Sequence, residues 1–182
     1  AHLAVENAGI KKGTVDPARF GVEFGCVMVA TELEDLSVGA KASTNGVPGQ
    51  VDLAVWGADG LRKVPPLWML KYLPNMPACH VSIFHDARGP NNTVTASDAA
   101  GLLALGEAFR VMQRGQADAF LVGGCDSKVN PLSMSRYHSF LKLSKRIADP
   151  GRALRPFDAD RDGTVIGEGA AVYTLETPEF AA

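Results

Sequence analysis

The fold of this chain is decided by residues 89–114, which read GPNNTVTASDAAGLLALGEAFRVMQR. A Gly-Pro-Asn turn leads into a β-branched run at 93–95, and two small polar residues, Ser97 and Asp98, precede a long amphipathic helix. The first N–H groups of a helix have no internal partner, and the helix dipole favours negative charge there. A strand, a tight bend and a helix N-terminus in succession are typical of α/β enzymes that present a reactive side chain.

Segments on both sides of this stretch predict the rest of an α/β domain. The predicted strands are Phe20–Ala30, the run at 93–95, Asp118–Gly124 and Gly169–Glu176. The predicted helices are 2–8, closed at Gly9, Thr31–Ala42, a short one after Pro65-Pro66, Asp98–Arg114 and Asn130–Lys142. Residues 78–89 fit a helix or a strand, 43–64 fit loop and short helix, and 146–162 fit loop. The apolar residues at 102, 103, 105, 109 and 112 form one stripe at the helical period. This order predicts a layered α/β fold with a mixed sheet whose last strand is antiparallel.

Composition excludes several function classes. The chain has 182 residues, 46% of them hydrophobic, and a net charge of −2, which describes one soluble domain over 1–182 and gives no electrostatic case for binding nucleic acid or membrane. No apolar run reaches the roughly 18 residues that span a bilayer. The three cysteines, 26, 79 and 125, indicate reduced thiols in the cytoplasm. Both ends suggest a truncated chain, since it opens inside a helix.

The acidic segment that begins at Asp158 resembles the start of a calcium loop. Asp158, Asp160 and Asp162 alternate before Gly163, but the twelfth position, which needs a bidentate Glu, is Gly169. We therefore interpret the segment as a turn braced by Arg155 and Arg161. The four histidines lack metal-ligand spacing. The sequence predicts neither a metal nor a cofactor.

Three segments resemble the β-ketoacyl-acyl carrier protein synthases of the thiolase superfamily. They are NMPACHVSIFHDARGPNNTVTASDAAG, GEAFRVMQRGQADAFLVGGCD and LSKRIADPGRALRPFDADRDGTVIGEGAAVYTLE. The resemblance implies a thiolase-like fold with helices on both faces of a mixed sheet, of which this chain holds most of the N-terminal half. It implies condensation of an acyl chain with a malonyl-carrier in fatty acid or polyketide biosynthesis. The implied partners are an acyl carrier protein with its acyl chain, and a second subunit that makes a homodimer or heterodimer through the strand Asn92–Thr95.

The chain departs from the family at the nucleophile. The family's bend reads Thr-Ala-Cys, and its cysteine lies nine residues after the glycine of GPN and eight before the helix glycine. Counting from Gly89 and back from Gly106 both reach Asp98. A carboxylate suits a helix N-cap, but it is a poor nucleophile, and its charge opposes an oxyanion formed beside it.

This substitution leaves three functions open. The first is a condensing enzyme with impaired or altered catalysis. The second is a non-catalytic ketosynthase-like partner or chain-length-factor-type subunit, and the third is a decarboxylase or hydrolase with Asp98 as base. The family's catalytic histidines and lysine lie in its second half and match no residue of this chain.

Overall fold

A computed structural model describes residues 1–27 and 31–182. The strands are β1 (Phe20–Gly25), β2 (Asn91–Val94), β3 (Ala119–Ser127) and β4 (Glu168–Glu176). The helices are α1 (His2–Asn7), α2 (Leu33–Ala42), α3 (Leu53–Val55), α4 (Leu61–Lys63), α5 (Met76–His85), α6 (Ala100–Gln113), α7 (Pro131–Phe140) and α8 (Pro178–Ala181). A π-helical turn, Trp56–Gly60, joins α3 to α4, and Trp68–Lys71 forms one 3₁₀ turn. The predicted first strand is shorter than expected, and residues 28–30 of that prediction lie outside the described residues.

The four strands form one mixed sheet in the order β2-β1-β3-β4. β1 is central and runs parallel to both neighbours, with Val22 opposite Asn91 and Leu121. β4 is antiparallel to β3. The Thr177 amide, after the end of β4, donates to the carbonyl of Asp118 before the start of β3, at 2.9 Å. The Lys128 amide, after β3, donates to Gly167 before β4, at 3.0 Å. The predicted mixed sheet and antiparallel last strand are confirmed.

Helices cover both faces of this sheet, as the resemblance implied. On one face, alternate β1 residues (Phe20, Val22 and Phe24) pack with β3 side chains and with Ala78 of α5. On the other face, small residues of α6 pack against Phe120 and Val122 of β3. Because side chains alternate along a strand, the face of β1 that meets α6 carries Gly21, Glu23 and Gly25.

Two segments differ from the sequence-based expectation. The ambiguous segment 78–89 contains a helix, since α5 runs from Met76 to His85 and ends at Asp86 in the left-handed conformation. The apolar stripe of α6 does not face the sheet. Its alanines and Val111 are buried instead, and Leu102, Leu103, Leu105 and Phe109 are exposed. Alanines bring the helix axis closer to the strands than leucines can, which is why they occupy the buried side.

The chain divides into two compact units. The sheet, α1, α5, α6 and α8 belong to Ala1–Val29, Leu73–Asp126 and Gly169–Ala182, and the second unit comprises Ala30–Tyr72 and Ser127–Glu168. In the second unit, the Asp35 carboxylate accepts hydrogen bonds from the Tyr72 hydroxyl and from Lys71 Nζ. The acidic turn also lies there. Asp162 accepts from Ser144 Oγ at 2.8 Å and from the Lys145 amide at 2.9 Å.

Candidate functional site

A cavity of about 410 Å³ lies at the carboxyl ends of β1 and β3. Its wall is built mainly from small residues of four elements. They are Gly25, Cys26 and Val27 after β1, Ser97, Ala100 and Gly101 at the start of α6, Gly124, Cys125 and Asp126 of β3, and Gly169, Ala170 and Ala171 of β4. Because β4 runs antiparallel to β3, its beginning reaches the same edge of the sheet as the end of β3. The wall therefore combines backbone amides, two thiols and the first residues of a helix.

Glycines of the strands bring the α6 N-terminus to this cavity. A Cβ atom on Gly25 would lie 2.3 Å from the carbonyl carbon of Ala100 and from the Gly101 nitrogen. Across the same contact, a Cβ on Gly124 would lie 3.5 Å from the Cα of Gly101. The helix thus rests directly on the backbones of β1 and β3. The positive end of its dipole lies at the edge where the cavity opens.

The bend between β2 and α6 has a strained residue at its centre. Ser97 has φ +49°, a left-handed value that costs a non-glycine residue free energy. After β2 ends, Thr95 Oγ1 donates to the Cys26 carbonyl at 3.0 Å, which fixes the chain to the end of β1. Ser97 then lines the cavity. Strained residues of this kind concentrate at functional sites, so the geometry agrees with a bend that presents a side chain.

Asp98, the residue at the predicted nucleophile position, is exposed next to this bend. It lies in a 3₁₀ turn, Ser97–Ala99, which precedes α6. Our expectation that Asp98 caps the helix is wrong, because the N-cap is Ala99, the last residue of that turn, and no side chain among the described residues forms a cap hydrogen bond there. The cavity wall contains Ser97 and Ala100 on either side of Asp98. The nucleophile assignment of Asp98 stays a prediction.

Two cysteines of the cavity were missed as site residues in the sequence. Cys26 is buried, and Cys125 is half-buried. Burial raises the pKa of the Cys125 thiol, and a hydrogen bond with Cys26 acts in the opposite direction. A signal was present, since the dipeptide Gly-Cys occurs towards the carboxyl end of both buried strands, at 25–26 and at 124–125. Parallel neighbouring strands bring such dipeptides together.

A buried carboxylate, Glu23, lies on β1 two residues before Gly25, which lines the cavity. Its side chain is only 2% exposed, and its Oε1 has no hydrogen-bond partner among the described residues. Burial and, to a lesser extent, the charge of Glu107 on α6 raise its pKa, a hydrogen bond with Asn92 lowers it, and together they raise the pKa to about 7. Sequence reasoning missed this residue because it sits within an otherwise apolar and glycine-rich strand.

Residues 1–27 and 31–182 contain neither a metal site nor a membrane-spanning helix. No group of three or more histidine, cysteine, aspartate or glutamate side chains there could hold a metal ion. In the same part of the chain, no helix is long and apolar enough to cross a membrane.

Comparison with known proteins shows the family to which this chain belongs. The model of the β-ketoacyl synthase N-terminal domain matches residues 1–181. The chain is 34% identical over 178 residues to 3-oxoacyl-[acyl-carrier-protein] synthase 2 of Vibrio cholerae, covering 98% of this chain and 39% of that protein. It is 37% identical over 182 residues to the putative polyketide β-ketoacyl synthase 1 of Streptomyces cyaneus, covering 100% of this chain and 41% of that protein.

A solved structure agrees. The crystal structure of a β-ketoacyl synthase from Burkholderia phymatum superposes with a TM-score of 0.75 at 27% identity, covering 99% of this chain and 40% of that one. The chain therefore spans about two fifths of the length of these relatives.

Proposed function

Because the chain belongs to the β-ketoacyl synthase family, we propose that it is the N-terminal half of a cytoplasmic ketosynthase-like unit of fatty acid or polyketide biosynthesis. In this proposal, an acyl chain delivered by an acyl carrier protein is bound at the cavity where β1, β3 and the α6 N-terminus meet. The observation that carries the proposal is the strained bend at Ser97, which lines that cavity at the N-terminus of α6. Such an N-terminus stabilises the oxyanion of acyl transfer.

We further propose that condensation is impaired because Asp98 occupies the nucleophile position. A thiolate at a helix N-terminus is a strong nucleophile and a good leaving group. A carboxylate at the same place attacks a thioester poorly, and the mixed anhydride that it would form is prone to hydrolysis. Its negative charge also opposes an oxyanion formed at the same amides.

The second candidate function is a non-catalytic ketosynthase-like partner, of the kind that shapes an acyl tunnel beside an active subunit. Asp98 is exposed and is not among the residues that form the wall of the cavity, which favours a non-catalytic function. Such a subunit needs the fold, the carrier-protein surface and the dimer contact, but no nucleophile.

The exposed stripe of α6 supports the proposal that this chain is one half of a larger unit. Leu102, Leu103, Leu105 and Phe109 form a contiguous apolar face, and faces of this kind mark interaction sites. The relatives are more than twice as long as this chain, so we assign the stripe to contact with the remainder of the protein.

The edge of the sheet supports the proposed subunit contact. Among the described strands, β2 is an outer one, so we infer that the outward N–H and C=O groups of Asn91–Val94 are available to a second strand. We propose that β2, within the predicted segment Asn92–Thr95, pairs with the equivalent strand of a homodimeric or heterodimeric partner.

Intact-mass spectrometry with an acylated carrier protein tests the proposed function. Incubation of the full chain with long-chain acyl-carrier protein is expected to leave the wild type unmodified. The Asp98→Cys variant, with its thiol restored at the bend, is expected to gain one acyl group. Ser97→Cys is the matched control, because it places a thiol one residue away. An acyl group on wild-type Ser97 or Asp98 would contradict impaired condensation. Failure of both variants to accept acyl chains would contradict the placement of the acyl site.

A further inference from the structure

The thiols of Cys26 and Cys125 meet at the floor of the cavity. Gly25 and Gly124 are directly opposed in the parallel ladder between β1 and β3, so the next pair along the two chains is Cys26 and Cys125. In-register residues of parallel strands project to the same face. The hydrogen bond between the two thiols agrees with this placement.

The spacing of the two backbones suits a covalent link. Neighbouring strands lie about 4.8 Å apart, and disulfides join Cα atoms that are roughly 4.4–6.8 Å apart. The glycines before each cysteine leave the opposite face of the strands to α6, whose backbone approaches Gly25 and Gly124 closely. On one face of the sheet, α6 packs closely against the two strands. On the opposite face, the two cysteines lie side by side.

The two cysteines also share access to small reagents. Both line the cavity, although Cys26 is only 3% exposed and Cys125 packs against the apolar cluster of β1 and α5. A disulfide reagent that enters the cavity therefore meets both sulfurs.

From this arrangement we propose that Cys26 and Cys125 form a redox-active dithiol, a modification site that closes reversibly to a disulfide across β1 and β3. The oxidant is a low-molecular-weight disulfide such as oxidised glutathione. One protein thiolate attacks this disulfide and forms a mixed disulfide with one glutathione, and the other glutathione leaves as a thiolate. The second protein thiolate then attacks the protein sulfur and releases the second glutathione. Two protein thiols are oxidised, one glutathione disulfide is reduced, and the two thiol protons are left on the released glutathiones.

The third cysteine supplies an internal control. Cys79 lies on α5, half-buried, and Asn75 Nδ2 is 3.6 Å from its sulfur. It does not line the cavity that holds the other two thiols. Oxidation at Cys79 is therefore expected to stop at the mixed disulfide with glutathione.

Peptide mapping after oxidation tests the proposal. The full chain is treated with oxidised glutathione, alkylated, digested without reduction and analysed by mass spectrometry, with circular dichroism confirming that the fold is retained. We expect a peptide pair linked through Cys26 and Cys125, unchanged in Cys79→Ser and reversed by dithiothreitol. Cys26→Ala and Cys125→Ala should each lose the bridge and retain a glutathione adduct on the remaining cysteine. Three independent glutathione adducts in the folded wild type, or a bridge through Cys79, would overturn the proposal. Because no acylated substrate is used, this outcome is independent of the proposed acyl-transfer function.

Discussion

At the scale of single residues, Glu23 is a carboxylate almost completely removed from water. It is enclosed between β1 and α6 with one carboxylate oxygen unpaired among the described residues. Its folded-state pKa is about 7, against an ordinary value of 4.5. Because the folded state holds this proton more tightly than the unfolded chain does, raising the pH from about 4.5 to 7 costs stability.

We expect Glu23→Gln to remove this pH dependence. The amide keeps the shape of the side chain and carries no charge, so the variant should match the wild type near pH 4 and exceed it near pH 8. The gain at the higher pH is on the order of 3 kcal/mol, from a pKa difference of roughly two and a half units. Urea unfolding at several pH values measures it. Glu34→Gln, at an exposed carboxylate of α2, is the matched control. Parallel curves for the wild type and Glu23→Gln would contradict an ionised buried carboxylate.

At the scale of elements, the close packing of α6 on the sheet requires a glycine, without a Cβ atom, at position 25. A Cβ on Gly25 meets backbone atoms of α6 at 2.3 Å, and backbone cannot rotate away as a side chain can. We expect Gly25→Ala to destabilise the fold by about 3 kcal/mol or more, since overpacking of this kind moves whole elements. Gly106→Ala, on α6 itself, meets nothing within 4 Å and should gain up to about 1 kcal/mol of helix propensity. Denaturant unfolding measures the free energy of unfolding of both variants. Similar changes in the two would contradict the close packing of α6 on β1.

The same helix marks how far the sequence alone predicts this structure. Strand periods, turn residues and the bend after Thr95 were enough to predict the four strands and α6, since each depends on local pattern. The side of α6 that packs on the sheet was not predictable from its leucine stripe, because glycines in β1 and β3 select the alanine side. Of the cavity, the sequence predicted only the bend before α6, where Ser97 forms part of the wall. The cysteines of the cavity were not predicted, because they are 99 residues apart in sequence and meet only through strand register.

At the scale of the whole molecule, the exposed stripe of α6 makes a prediction about association. Leu102 is 78% and Phe109 53% exposed, and contiguous apolar surface drives self-association when its partner is missing. We expect the double change Leu102→Lys and Phe109→Lys to reduce association of the chain, measured by sedimentation velocity. The matched control is Leu53→Lys, because Leu53 is equally exposed, at 79%, and lies in the second unit. An equal effect of both changes would show that general solubility, rather than the stripe, governs association.

The outer strand β2 makes the corresponding prediction for the subunit contact. The amides of Val22 in β1 and of Cys26 just after it donate to the carbonyls of Pro90 and Val94. Since successive residues of a strand face alternate sides, the Thr93 amide points away from β1 to the open edge. Thr93→Pro removes that donor without removing a hydrogen bond of the β1–β2 ladder.

In a two-fold symmetric contact, this change deletes one hydrogen bond on each subunit. At about 1 kcal/mol each, the loss weakens dimerisation roughly tenfold or more. Thr93→Val, which keeps the amide and replaces a hydroxyl that has no partner among the described residues, should dimerise as the wild type does. Sedimentation equilibrium across a range of protein concentrations measures both. A dimer of unchanged affinity in Thr93→Pro, with the fold intact by circular dichroism, would place the subunit contact elsewhere.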